Sequence, residues 1–209
     1  MLFEIKNAGY KDGNQSVLEQ KTLSVAAGKH LLLLGASGCG KTTLMNIMAG
    51  LLRPNSGEIL FNGVSYSTLS DHGLDRLRAA NFGFVFQKLH LIGHLSVAQN
   101  IALAQMQTKP DPAHVQTLIT ELGLSGKESQ KARDLSVGEA QRVAIARAVA
   151  NNPKVIFADE PTSALDDENA SNVMDLIFAQ AEKTKATVIA ATHDARIKGR
   201  FETVLEMTL

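Results

Sequence analysis

Leu31-Leu32-Leu33-Leu34-Gly35-Ala36-Ser37-Gly38-Cys39-Gly40-Lys41-Thr42 is the stretch on which the fold turns. Four apolar residues with the pattern of a buried strand run into a loop of small residues. A helix-compatible segment from Thr42 to Ala49 follows, closed by Gly50 and kept from resuming by Pro54. Small side chains let successive backbone N–H groups turn inward around an anion, and the helix behind them adds about half a positive charge at its amino end. Strand, glycine loop and helix in this order form a phosphate-binding site. Its nucleotide contacts are Gly35, Ala36, Ser37, Gly38, Cys39, Gly40, Lys41, Thr42 and Thr43. Lys41 reaches the β- and γ-phosphates as a point charge, Thr42 ligates Mg²⁺, and Cys39 contributes only its small size.

Working outward, Leu2 to Ile5, Thr22 to Val25 and Glu58 to Phe61 read as further strands, the last leading into an Asn62-Gly63 turn. From about Ala98 to Ala150, β-branched runs thin out and helix-period segments take over, notably Ala113 to Leu122 and Val137 to Ala150. Strand patterns return at Val155 to Ala158 and Thr187 to Ala191, separated by a helix-compatible Asp167 to Lys183, with a last short strand at Thr203 to Met207. Strands alternating with helices predict an α/β fold, with a mainly parallel sheet covered on both faces.

The strand Val155 to Ala158 delivers two carboxylates, Asp159 and Glu160, at its carboxyl end, where open α/β sheets place their ligands. Adjacent side chains on a strand point to opposite sides, so the two acids take different tasks. Asp159 suits the Mg²⁺ shell and Glu160 suits a general base for an attacking water.

Composition limits the other possibilities. The 21 basic residues balance 21 acidic ones, so no overall field draws the chain to nucleic acid or anionic lipid, and no nucleic-acid partner is expected. The longest apolar runs fall well short of the roughly 20 residues that cross a bilayer. No basic-then-apolar leader opens the sequence, which points to the cytoplasm. One cysteine, Cys39, allows neither an internal disulfide nor a cysteine-based zinc cluster.

Five further segments, in order, resemble the ATP-binding-cassette (ABC) ATPases over nearly the whole chain. Leu135-Ser136-Val137-Gly138-Glu139, continued by Gln141-Arg142-Val143-Ala144-Ile145-Ala146-Arg147-Ala148, resembles the family's signature, usually Leu-Ser-Gly-Gly-Gln. Val137 and Glu139 depart from that wording: a β-branched residue stiffens the turn, and a carboxylate adds negative charge near a triphosphate. Phe84-Val85-Phe86-Gln87 resembles the Q-loop, with Gln87 touching Mg²⁺ and the attacking water. Ser163-Ala164-Leu165-Asp166 resembles the D-loop, and Ala191-Thr192-His193-Asp194 carries the switch histidine, His193. Tyr10 stands about where the family stacks a tyrosine on adenine.

The resemblance implies a P-loop NTPase core with a small N-terminal antiparallel β-subdomain and a helical subdomain inserted at about 98–150, all within one domain, 1–209. It implies a head-to-tail dimer with a second copy or a related ATPase subunit, in which Ser136, Val137, Gly138 and Glu139 of one subunit cap the γ-phosphate held by the other. It further implies a separate transmembrane permease subunit, gripped by the run Leu89 to Ile101, and a place on the cytoplasmic face of a membrane. The wording Ala158-Asp159-Glu160-Pro161-Thr162 is most similar to the lipoprotein-releasing, macrolide-export and cell-division group. Two alternatives stay open: a regulatory ATPase of the cell-division type that moves no solute, and an ABC ATPase that never meets a membrane.

Overall fold

The computed structural model describes residues 1–163 and 165–208. The leucine run forms β3 (Leu31–Gly35), hydrogen-bonded between β8 (Thr187–Thr192) and β9 (Thr203–Met207). With β6 (Phe82–Val85) and β7 (Val155–Asp159) these make a five-stranded sheet of order β6-β7-β8-β3-β9, in which every pairing is parallel. The remaining strands, β1 (Phe3–Asp12), β2 (Gln15–Val25), β4 (Ser56–Phe61) and β5 (Val64–Ser65), form a second sheet of order β2-β1-β4-β5, antiparallel throughout. The antiparallel sheet is therefore built around β3 in sequence, and β3 itself is taken into the parallel one.

Strand periodicity divides the core in two. Leu32, Ile156, Ala158, Val188 and Ala190 face one apolar cluster, whereas Leu31, Leu33, Val155, Phe157, Ile189 and Ala191 face the other. The first cluster is covered by α3 (Val97–Ala102), α4 (Pro112–Glu121), α5 (Val137–Val149) and α6 (Asp167–Thr184). The second is covered by α1 (Lys41–Met48) and the antiparallel sheet. Leucines 31 to 33 are wholly buried, each contributing about 1.5–3 kcal/mol of transfer free energy. Two-sided burial is why this strand is continuously apolar rather than alternating.

Phe61, Phe82 and Phe157 knit the sheets together by edge-to-face contacts, with centroids 4.9 and 5.3 Å apart. Two elements carry little sequence signal. Strand β6 is four residues long and contains Gly83, where a Cβ would lie 1.9 Å from the Ala148 carbonyl oxygen of α5. Helix α2 (Asp71–Asn81) is polar overall and turns only a narrow stripe, buried Leu74 with half-buried Leu77, to the core, but Ser70 caps it by accepting from the Gly73 N–H at 3.1 Å.

Among the described residues no helix is long and apolar enough to cross a membrane.

Candidate nucleotide site

The loop after β3 turns through Gly38 and Gly40, at φ 85° and 89°, conformations that residues with a Cβ rarely adopt. Gly40 is the N-cap of α1 and supplies no side chain to its first turn, which also lacks an acidic residue. The orphan N–H groups and the positive end of the helix dipole thus face the cleft in front of the loop. Lys41 is 5% exposed, and its ammonium donates to the carbonyls of Gly35 and Ala36 at 2.8 and 2.9 Å, fixing the side chain across the loop.

That cleft, of about 530 Å³, is lined by Val17, Ala36, Ser37, Gly38, Gly40, Lys41, Thr42, Thr43, Gln87, Asp159, Glu160 and His193. Residues from five separate stretches of sequence thereby meet at the carboxyl end of the parallel sheet. The Thr42 hydroxyl donates to both Asp159 carboxylate oxygens, at 3.1 and 3.3 Å. Burial pushes the Asp159 carboxyl up from its usual range, an effect opposed by the Thr42 hydrogen bond.

Glu160 lies one residue beyond β7 at φ 48°, a left-handed conformation that is costly for a side-chain-bearing residue. Its backbone N–H donates to the Ala191 carbonyl at 2.8 Å, holding the turn against the end of β8. The carboxylate is gripped from three sides. Thr192 Oγ1 donates to Oε2 at 2.8 Å, His193 Nδ1 lies 3.0 Å from Oε1, and Lys41 Nζ stands 3.9 Å from the same oxygen.

Gln87, two residues past β6, donates from Nε2 to Ser163 Oγ at 3.1 Å, and Ser163 in turn donates to the Glu160 carbonyl at 3.2 Å. Buried Asp194 accepts from buried Thr162 at 2.7 Å and from two guanidinium nitrogens of Arg196, at 2.8 and 2.7 Å. Those bonds, Arg196 foremost, hold the Asp194 carboxyl well below the usual range. Arg196 also donates to the Leu165 carbonyl and pairs with Asp167. The loops after β7 and β8 are thus locked to one another. Nothing in the sequence signals Thr192, Arg196 or Val17 in this arrangement: Thr192 meets Glu160 and Arg196 meets Leu165 and Asp167 across about 30 positions, and Val17 reaches the cleft from β2.

The other expected site residues fall elsewhere. Cys39 is buried beneath the loop and does not line the cleft. Tyr10 lines a neighbouring depression with Ser16, Leu18 and Asn55; Ser16 and Leu18 continue into a second hollow bounded by Val17, Gly38 and Cys39, which adjoins the cleft. Asp166 serves as N-cap of α6, with Asn169 donating to both its oxygens at 2.8 Å. Ala164 lies outside the described residues.

None of Ser136, Val137, Gly138 or Glu139 lines the cleft. Ser136 is the N-cap of α5, whose capping box it closes with Glu139: the Glu139 N–H donates to Ser136 Oγ at 3.3 Å, and the Ser136 N–H donates to Glu139 Oε2 at 2.9 Å. Val137 projects into solvent, 73% exposed.

Comparison with known proteins bears on the family and the fold. Residues 18–163 match the family model described as ABC transporter. The macrolide export ATP-binding/permease protein MacB 2 of Aeromonas hydrophila subsp. hydrophila is 40% identical over 204 residues, covering 95% of this chain and 31% of the relative. MacB of Salmonella typhi is 40% identical over 214 residues, covering 99% and 33%. The chain therefore spans about a third of the length of these curated relatives. Among solved structures, the ATP-binding cassette MJ0796, in a dimeric post-hydrolysis state bound to ADP and Pi, superposes with a TM-score of 0.86 at 31% identity, covering 99% of this chain and 94% of that one. The protein cbiO1 of Clostridium perfringens, part of the ABC transporter complex cbiONQ, gives 0.87 at 28% identity, covering 99% and 84%. Loop, paired carboxylates, signature and overall likeness converge: the chain belongs to the ABC transporter family, as one of its ATPase cassettes.

Proposed function

We propose that two copies of this cassette, or one copy and a related ATPase subunit, close head to tail around two ATP molecules, and that hydrolysis drives a transmembrane permease. The reading rests above all on one observation. Lys41, Thr42, Asp159, Glu160 and His193 converge on a single cleft, while the signature end of α5 is absent from its lining. A second anion-binding helix end that does not serve its own cleft is what a partner's nucleotide requires.

Within the cleft, Lys41 and the loop N–H groups bind the β- and γ-phosphates. Glu160, oriented by Thr192 and His193, accepts a proton from the attacking water. Gln87 and His193 line the position of the terminal phosphate, and Tyr10 supplies a face for the base. Thr42 and Asp159 fit an Mg²⁺ site: a hydroxyl and a partly buried carboxylate, already in contact, offer the hard oxygen donors that the ion prefers, with Gln87 on the same wall. Bound there, Mg²⁺ would neutralise charge developing on the phosphates.

A second cleft, of about 460 Å³, supports the permease. Leu51, Phe84, Phe86 and Leu103 line it, together with His90 and the charged Asp75, Arg78 and Arg147. Arg147, which also lines it, holds the carbonyls of Leu89 and His90 at 2.6 and 2.7 Å. An apolar segment of a membrane protein's cytoplasmic loop fits such a groove. The cassette is then peripheral on the cytoplasmic face, as one domain whose residues 98–150 form a helical subdomain.

The test is Glu160→Gln, which keeps the side chain's size but removes the proton-accepting carboxylate. Phosphate release should fall about a hundredfold or more. Light scattering after size exclusion should find dimers with ATP-Mg²⁺ and monomers without. Wild-type turnover rejects Glu160 as base, and a protein that stays monomeric at saturating ATP rejects ATP-driven closure.

A further inference from the structure

Glu139 poses an electrostatic problem that the head-to-tail reading sharpens. A carboxylate in the first turn of α5 steadies the helix dipole, but it also repels the triphosphate that this helix end is meant to receive. The structure holds an answer outside the signature. Lys127, in the turn after α4, pairs its ammonium with Glu139 Oε1, while Oε2 takes the Ser136 N–H at 2.9 Å. Both carboxylate oxygens are thereby occupied. The Lys127 backbone is fixed as well, its N–H donating to Leu124 and its carbonyl accepting from Gln130, at 3.0 and 2.9 Å. Arg142, whose guanidinium lies beside Gly138, makes no salt bridge to Glu139 among the described residues, so the cation paired directly with the carboxylate is Lys127. The pairing and the Ser136 hydrogen bond hold the Glu139 carboxyl down to about 2, so it is charged throughout the working range and its field has to be met by a fixed cation.

We propose that Lys127 is a positioning residue for the ATPase reaction: by holding and neutralising Glu139, it lets the amino end of α5 receive the triphosphate bound by a second copy of the chain. This rests on head-to-tail closure. Without Lys127, the carboxylate remains at the helix end with no ammonium to offset it, and each of the two composite sites of the dimer is weakened. A lysine is needed only because residue 139 is Glu, since a glutamine there would close the same capping box without the charge.

The experiment is a double-mutant cycle in the Glu160→Gln background, reading by light scattering the ATP concentration that gives half dimerisation. Lys127→Gln should raise that concentration about two- to tenfold at low salt. The increase should shrink towards nothing near 1 M salt, where screening acts over roughly 3 Å. Lys127→Arg should restore the wild-type value. In a chain that also carries Glu139→Gln, loss of Lys127 should have no effect. An increase of the same size whether or not Glu139 has been replaced, or one insensitive to salt, makes Lys127 a structural prop and overturns the proposal. A Glu160→Gln chain that never dimerises with ATP is a different result: it overturns head-to-tail closure itself, and the proposal with it.

Discussion

His193 Nδ1 lies 3.0 Å from Glu160 Oε1, so two of the residues proposed for catalysis are in direct contact although 33 positions separate them. The opposite oxygen of the same carboxylate is held by the Thr192 hydroxyl at 2.8 Å. A general base must be aimed as well as basic, and this pair of contacts fixes both oxygens. Thr192→Val removes one of them at nearly constant volume. Turnover should fall about tenfold while ATP affinity stays near the wild-type value, because no phosphate contact is lost. Steady-state kinetics with an ATP-binding titration checks this; a rise in KM at unchanged kcat would place Thr192 in binding instead.

Lys41→Ala removes the buried ammonium that crosses the phosphate loop. Hydrogen bonds to charged groups contribute about 1.5–3 kcal/mol, so ATP affinity should drop by roughly ten- to 150-fold in a chain that still folds. Calorimetric titration with ATP reads it, and unchanged affinity would remove Lys41 from the phosphate site.

His30 predicts how stability depends on pH. Its Nδ1 accepts the Val188 N–H at 3.0 Å, its ring lies 5.0 Å from Phe178, and burial pushes its pKa down against the opposing charge of Glu202. The folded chain therefore resists a proton that the unfolded chain takes up below about pH 6.5, and stability should fall as the pH drops through and below that value. His30→Asn offers an uncharged acceptor to Val188 and should flatten the decline. Urea unfolding at about pH 7.5 and about pH 5.5 compares the two chains, and parallel declines would assign the effect to other groups.

Gly83→Ala should uncouple helix α5 from the sheet edge. The added methyl would sit 1.9 Å from the Ala148 carbonyl oxygen, a backbone atom that cannot swing aside. Overpacking of this kind costs about 1–3 kcal/mol or more, so the unfolding midpoint should move down markedly, and a neutral substitution would mean that α5 and β6 separate easily.

The phosphate loop, the paired acids, the alternation of strands with helices and the family are all legible in the amino-acid sequence without a structure. Each is written in contiguous residues whose spacing and size carry the chemistry: a four-leucine strand buried on both faces, small residues where backbone must approach an anion, two acids at a strand end. Folding in three dimensions settled the rest. It brought Thr192 and His193 onto Glu160, joined Gln87 to Ser163, locked the two loops by setting Thr162 on Asp194 and Arg196 on Leu165, and set Lys127 against Glu139. It also formed β6, too short to show a period, and α2, too polar overall to stand out as a core helix. The side-chain contacts share one cause. Local backbone preference and burial act over neighbouring residues and leave a pattern in sequence, whereas a hydrogen bond or ion pair between side chains far apart along the chain exists only once the sheet has fixed where its strands end.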